Sequence, residues 1–393
     1  MGAKGNIIAI SDLLLVFSFC FSFIVFFKRN KSFPRAFKIF TIIYLLLTLL
    51  YFYKFGWINF TSSLRVYIKV ITGVMVIILL DLRFFVYLEK LIVILAFISL
   101  PLYAFQLVDY ELLKSFIGLV ENNFKFLDYR SGWYVNNIVY TLNDNAMLRN
   151  SGFTWEPKGF ANLLALATII NLLMYRFKLN RSIIILFIAL LTTLSTAGFI
   201  IFFVFIPFFI YQQKNNLTIL NILKLIFILI IAVPIFSLEF MSDKIINEVS
   251  YSENNLKYIS AKTNNETVSL GRFGSMALAF IDFPANPIFG IGMQDRERTQ
   301  AMYTRLVWVN GLADFLSRFG LFGIVFLLYS YSKSIRIVLK SCGVTKGSYT
   351  ILLIFLSIFF ASAVIIQPLF FAFQFYFLTK KNNEKIYSYS NSC

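Results

Sequence analysis

The amino-acid sequence predicts an all-α polytopic membrane protein with about 11 transmembrane helices, and three observations carry that expectation. Of 393 residues, 59% are hydrophobic and only 14% charged, and the mean hydropathy is +0.76. A soluble domain of this length has no interior large enough to hide so many apolar side chains. Apolar runs of roughly 17–25 residues recur along the chain, each long enough to cross about 30 Å of hydrocarbon. Finally, the charge is sorted by loop. The alternate loops 28–38, 83–90, 176–181, 214–224, 333–346 and 380–385 hold 19 Lys/Arg and 2 acids, while the remainder holds 17 of each, so the whole net +17 falls on one side. The positive-inside rule makes that side cytoplasmic and puts the N-terminus outside. In a soluble protein a pI near 9.7 would suggest nucleic acid; here topology accounts for it, and no nucleic-acid partner is expected.

The first run, within "MGAKGNIIAISDLLLVFSFCFSFIVFFKRNKSF", has no small-residue cleavage signature and reads as a retained span. The expected spans are approximately 7–27, 37–53, 66–82, 91–108, 159–175, 182–196, 199–211, 219–238, 307–330, 349–366 and 369–379. The last two are separated by "IIQPLFF", where Pro368 suits a kink or a tight turn. Residues 1–379 thus read as a single polytopic membrane domain with external loops at about 109–158 and 239–306, followed by a short cytoplasmic tail at 380–393. Long outer loops and trimmed inner ones point to work done at the outer face.

Composition also excludes chemistry. The chain has no histidine, which removes a histidine base, histidine–metal ligation and every Ser-His or Cys-His nucleophile system. Its three cysteines, Cys20, Cys342 and Cys393, suggest neither a disulfide framework nor a metal cluster.

Four stretches carry polar chemistry at the outer ends of spans. In "RNSGFTWEPKGFA", Pro157 suits the first turn of a helix and Glu156 can cap free N–H groups. Alternatively, Arg149 offers a fork that suits phosphate beside a carboxylate at a water–lipid boundary. In "RVYIKVITG", Arg65 and Lys69 share a helix face, and an intramembrane lysine either snorkels or serves a function. In "GRFGSMALAFIDFPANPIFGIGM", the apolar run after Arg272 is too short to span and fits an interfacial or re-entrant helix, with glycines permitting a tight turn. In "VNGLADFLSRFGLFG", Asp314 and Arg318 are four apart, placed either to pair inside the bundle or to supply a catalytic carboxylate. Several basic residues from separate segments thus converge on one face and describe a site for an anionic, lipid-embedded ligand.

The order of these motifs resembles the O-antigen polymerase and O-antigen ligase superfamily, bacterial membrane glycosyltransferases of the C type. Arg149, Gly152 and Glu156-Pro157 are similar to its R-x-x-G-x-x-x-E-P pattern, and "LSTAG" at 194–198 resembles its Ser-rich turn. Arg272 leading to Pro287, Gly290 and Gly292 resembles its Pro-x-x-Gly-x-Gly segment, and Asn310, Asp314, Gly320 and Gly323 its His-Asn-x-x-Leu-(Asp/Glu) stretch. The likeness covers roughly residues 65–375, with departures: the family's histidine position is Val309, and the arginine after the Ser-rich turn is Thr196 or Ala197 here. The missing histidine leans toward the polymerases.

The resemblance implies transfer of a growing polysaccharide from undecaprenyl diphosphate to an incoming lipid-linked repeat unit, at the outer face of a bacterial plasma membrane. A chain-length regulator and a flippase of the same pathway would be partners. Arg149, Arg272, Lys69 and Arg65 are the diphosphate-binding candidates, Glu156 and then Asp314 the base candidates, and Asn310 and Arg318 the substrate-positioning ones. No cofactor and no metal is expected. The rival readings are O-antigen ligase, transferring glycan to lipid A core, and a lipid-linked oligosaccharide flippase or other transporter. The topology is checked by impermeant thiol labelling of intact cells in a background lacking the native cysteines. A cysteine at Asn255 should label and one at Asn215 should not; the reverse pattern would invert the orientation.

Overall fold

Helices form at the apolar runs and most extend past them. The computed structural model describes residues 5–123, 134–136, 139–144, 147–154, 156–213, 250, 267–269, 271–293, 305–307, 309–344 and 346–379. Helices α1 (Gly5–Lys28), α2 (Arg35–Phe55), α3 (Trp57–Leu80) and α4 (Arg83–Val108) follow one another through short turns, then α5 (Tyr110–Asn123) and the antiparallel pair β1 (Tyr134–Asn136) and β2 (Thr141–Asn143). Next come α6 (Pro157–Met174), α7 (Arg181–Thr192) and α8 (Thr196–Gln213). Strands β3 (Thr267–Ser269) and β4 (Arg305–Val307) pair in parallel on either side of α9 (Arg272–Asp282) in the chain. Helices α10 (Gly311–Ser341), α11 (Ser348–Ala361) and α12 (Pro368–Gln374) follow, with a 3-10 turn at Tyr376–Leu378.

Among the described residues, five helices are long and apolar enough to cross a membrane: Arg35–Phe55, Phe60–Leu80, Arg83–Val108, Pro157–Met174 and Gly311–Ser341. Shorter apolar stretches at Leu14–Lys28, Arg181–Thr192, Thr196–Ile206 and Ser348–Ala361 pack with them. The chain is a helical protein built to sit in a membrane. The span expected at 219–238 and the tail at 380–393 lie outside the described residues. The span expected at 369–379 takes another form: α12 has seven residues, about 10 Å at 1.5 Å per residue, too short to cross. Two basic stretches read as loops are helical instead. Helix α4 starts at Arg83 and takes in Lys90, and α10 runs to Ser341 and takes in Lys333, Arg336 and Lys340. Hydropathy marks where lipid ends, not where the helix ends: long cationic side chains lay their stems along the helix, and cations near a C-terminus suit its dipole.

Helix α6 is the centre. Of its membrane-length window 78% is buried, against 22% for α2 and α4, and it packs on α4, α7 and α8. Small residues allow the close approach. A Cβ on Gly198 of α8 would stand 2.8 Å from the Ala161 side chain of α6. Helices α10 and α11 close the core that α6 enters, through Tyr331, Phe355 and Phe359.

Helix α10 is broken at Gly320, whose φ and ψ are 60° and −160°. The break releases backbone groups that the turn at 287–292 satisfies. Ile291 N and Gly292 N donate to Ser317 O and Arg318 O at 3.0 and 2.9 Å, while Leu321 N and Phe322 N donate to Pro287 O and Ile288 O at 2.8 and 3.0 Å. The two strips of backbone touch. A Cβ on Gly320 would lie 2.5 Å from Ile288 O, and one on Gly290 2.6 Å from Arg318 O. The tight turn expected of "FGIGM" is present, with φ of 71° at Gly290 and 76° at Gly292. Gly320→Ala should lower the thermal midpoint in detergent well beyond Gly56→Ala. Gly56 also has a positive φ, 85°, but nothing within 4 Å of its Cβ position, so alanine there carries only the conformational cost of about 1–3 kcal/mol. Equal midpoints would remove the interlock from the account of stability.

Candidate functional site

The first turns of α6, α8, α9 and α10 come together, with Gly198 of α8 on Ala161 of α6, Asn162 of α6 and Gly311 of α10 both at Ser362, and Asn310 bonded to Arg272 O, so their N–H-bearing, partially positive ends gather there. Other contacts there are polar. Arg149 donates from Nε to Thr193 O, 3.0 Å away, at the α7–α8 turn. Arg272, the first residue of α9, donates from Nε to Ala361 O at the end of α11, 3.4 Å away. Asn310 is buried at the N-cap of α10: its Oδ1 accepts from Ala313 N at 3.1 Å, and its Nδ2 donates to Arg272 O at 3.2 Å.

Arg149 lies within electrostatic reach of both Glu156 and Arg272. Burial lowers the pKa of its guanidinium, Glu156 opposes that, and Arg272 adds to it. Two arginines from segments more than a hundred residues apart in sequence thus lie within electrostatic reach of each other, each held by a backbone carbonyl, with the Glu156 carboxylate within reach of Arg149. Like charges held together in a partly buried place favour an anion between them.

The loop that carries Arg149 is pinned by residues that sequence reasoning did not single out. Asn150, fully buried, donates from Nδ2 to Ser99 Oγ at 3.2 Å and Thr192 Oγ1 at 2.9 Å, and its Oδ1 accepts from Gly152 N at 2.9 Å. Its backbone N–H bonds Thr192 O at 2.9 Å. Gln106 of α4 donates to Met147 O and to Arg149 O, the latter at 3.3 Å, while its Oε1 accepts from the Tyr140 hydroxyl at 2.7 Å. Gly152 has φ of 52° and faces the Phe160 ring, 2.7 Å from where a Cβ would stand. The local signal for Asn150 was present, an Asn two residues before Gly making a side-chain turn; its bonds to α4 and α7 are tertiary.

Glu156 differs from one of its expected roles. It occupies the N-cap of α6 with extended φ and ψ, yet its side chain makes no capping hydrogen bond. Pro157 supplies no N–H, and the carboxylate turns to Lys158, with Oε2 3.2 Å from Nζ. Its side chain is 48% exposed. Gly159 N, 3.0 Å away, and Phe160 N bond the Glu156 carbonyl instead. Three nearby polar atoms, Ser151 Oγ, Asn162 Oδ1 and Thr196 Oγ1, have no hydrogen-bond partner among the described residues. Asn162 is also tied to this corner, donating from Nδ2 to Ser362 Oγ at 3.0 Å, one residue beyond the carbonyl that holds Arg272.

Asp314 and Arg318 form the ion pair their spacing suggested, Oδ2 to Nε 2.8 Å, with side chains 10% and 13% exposed. Arg318 also donates to Met293 O at 2.7 Å, which ties the pair to the turn at 287–292. Asp314 lies one helical turn below Asn310, whose carbonyl accepts its N–H at 3.0 Å. Arg65 is exposed and Lys69 half-buried on α3, which packs on α1, α2 and α12.

No family model, curated protein or solved structure matches the chain.

The buried pair yields a test of its role. Asp314→Ala leaves the Arg318 charge without its partner and should cost about 3–5 kcal/mol, read as a lower thermal midpoint. The double change Asp314→Ala with Arg318→Met should regain most of that stability. A stable double variant that is still inactive would assign the pair to the chemistry as well as to the fold.

Proposed function

We propose that the chain is a metal-independent glycosyltransferase that joins undecaprenyl-diphosphate-linked oligosaccharide repeat units into an O-antigen or capsular polysaccharide at the outer face of a bacterial plasma membrane. The observation that carries this reading is the joining of Arg149, Arg272 and Glu156 where four helices begin. Diphosphate is the anion that such a place suits, held by guanidinium forks and helix N-termini at the level where lipid meets water. The unpartnered oxygens of Ser151, Asn162 and Thr196 suit sugar hydroxyls. The motif order described above favours a polymerase.

The reaction follows from those groups. An acceptor sugar hydroxyl attacks the anomeric carbon of the donor glycan. The new glycosidic C–O bond forms as the bond from that carbon to the diphosphate oxygen breaks. The leaving diphosphate takes the bonding pair, and Arg149 and Arg272 stabilise its growing charge. The hydroxyl proton passes to Glu156, whose carboxylate is not engaged in capping. Because each arginine uses Nε to hold a carbonyl, lysine at either position loses the anchor as well as the fork.

Glu156→Gln separates the base from a structural role. The pair with Lys158, whose carboxylate side is about half exposed, contributes about 1 kcal/mol, so folding and insertion should be little changed. Polymer formation from lipid-linked repeat units should fall by about 10²–10⁴. Arg149→Ala and Arg272→Ala should each abolish the long-chain ladder in surface-glycan electrophoresis while a single repeat unit remains attached to the lipid core, and Arg→Lys should restore little. A ladder of normal length from Glu156→Gln would remove the base assignment. Loss of all attachment would instead indicate a ligase.

A further inference from the structure

Helix α5 was expected to be part of an external loop, and its position says more. The chain leaves α4 at Asp109, and that residue starts the next helix at once: its Oδ1 accepts from Leu112 N at 2.9 Å. Helix α5 therefore begins where the membrane span stops. One face is covered, with Leu113 and Ile117 packing beside Tyr140 and Leu142. On its flank Lys114 pairs with Asp144 at 2.9 Å, and Tyr110 donates to the same carboxylate at 2.5 Å.

A second face is apolar too, and the described residues leave it open. Leu112, Phe116 and Leu119 are 56%, 58% and 62% exposed. At about 100° per residue these three fall within roughly 60° of arc. Glu111 and Ser115 flank that arc on the side away from Leu113. The open face continues the outward apolar side of α4, where Leu91, Ile94, Phe97 and Val108 are exposed. On a membrane-crossing helix that side faces lipid, and exposed apolar side chains resume on α5 at Leu112, four residues after Val108. Water would meet three large contiguous apolar side chains here, which soluble surfaces rarely present.

We propose that α5 lies along the bilayer surface with Leu112, Phe116 and Leu119 sunk among the acyl chains, as an anchor that sets the depth of the Arg149 loop. The mechanical connection is direct. Tyr140 and Leu142 rest on the covered face of α5. Tyr140 bonds Gln106, which holds the Arg149 carbonyl, and Thr141 N donates to Gly152 O at 2.7 Å. The unit resting on the anchor is therefore the one that holds Arg149 in place. This placement is independent of which reaction the site performs.

The test uses the full-length protein with Cys20, Cys342 and Cys393 replaced by serine and single cysteines introduced as Leu112→Cys, Phe116→Cys, Leu119→Cys or Glu111→Cys. Each is spin-labelled and reconstituted into phosphatidylcholine–phosphatidylglycerol vesicles. Power saturation compares collisions with oxygen, which concentrates in lipid, and with a water-soluble nickel chelate. Labels at 112, 116 and 119 should favour oxygen several-fold over nickel, and the label at 111 should favour nickel. Equal nickel access at 116 and 111 would put α5 in water and overturn the proposal. Low access of both reagents at all three apolar positions would show that protein covers this face, and would overturn it equally.

Discussion

A backbone in hydrocarbon has no water to fall back on, and the break in α10 shows how this chain meets that constraint. At Gly320 the helix gives up its own ladder, and the turn at 287–292 takes both sides of the gap, donating two N–H groups and accepting two. Only glycine at 290 and 320 lets the strips meet, since a Cβ at either would overlap a carbonyl of the other. The interlock fixes α10 relative to the segment that follows α9, and the Asp314–Arg318 pair is clamped to the same turn through Met293. Asn310 then carries that order one turn outward, to the backbone of Arg272.

The other half of the site is built on a different principle, side chains replacing secondary structure. The loop at 147–154 has few ladder bonds of its own. Asn150 and Gln106 supply its polar partners from inside the bundle, so a stretch without regular structure is held as firmly as a helix end. Arg149 is thereby presented from a fixed carbonyl, Thr193 O, in the turn that links α7 to α8. Preorganisation of this sort is what a site needs if it is to stabilise charge only as charge develops. Helix α6, whose Phe160 meets this loop at Gly152, is the most enclosed of the long helices because α4, α7 and α8 pack around it.

What the sequence determined by itself was the class of protein and the places where helices would lie, because composition and run length answer directly to the thickness of hydrocarbon. It also marked Pro157 as a helix start, Gly290 and Gly292 as a tight turn, and Asp314 with Arg318 as a pair, since each depends on residues within a turn or two. It read 83–90 and 333–346 as loops because hydropathy reports polarity rather than helicity. It gave Glu156 a capping role that local pattern allows, and the lysine two residues on took the carboxylate instead. Only the tertiary structure decided that Arg149 and Arg272 come within electrostatic reach of one another, and that Asn150 and Gln106 matter at all. Those are relations between segments tens to hundreds of residues apart, set by which helix faces pack together, and no local spacing records them.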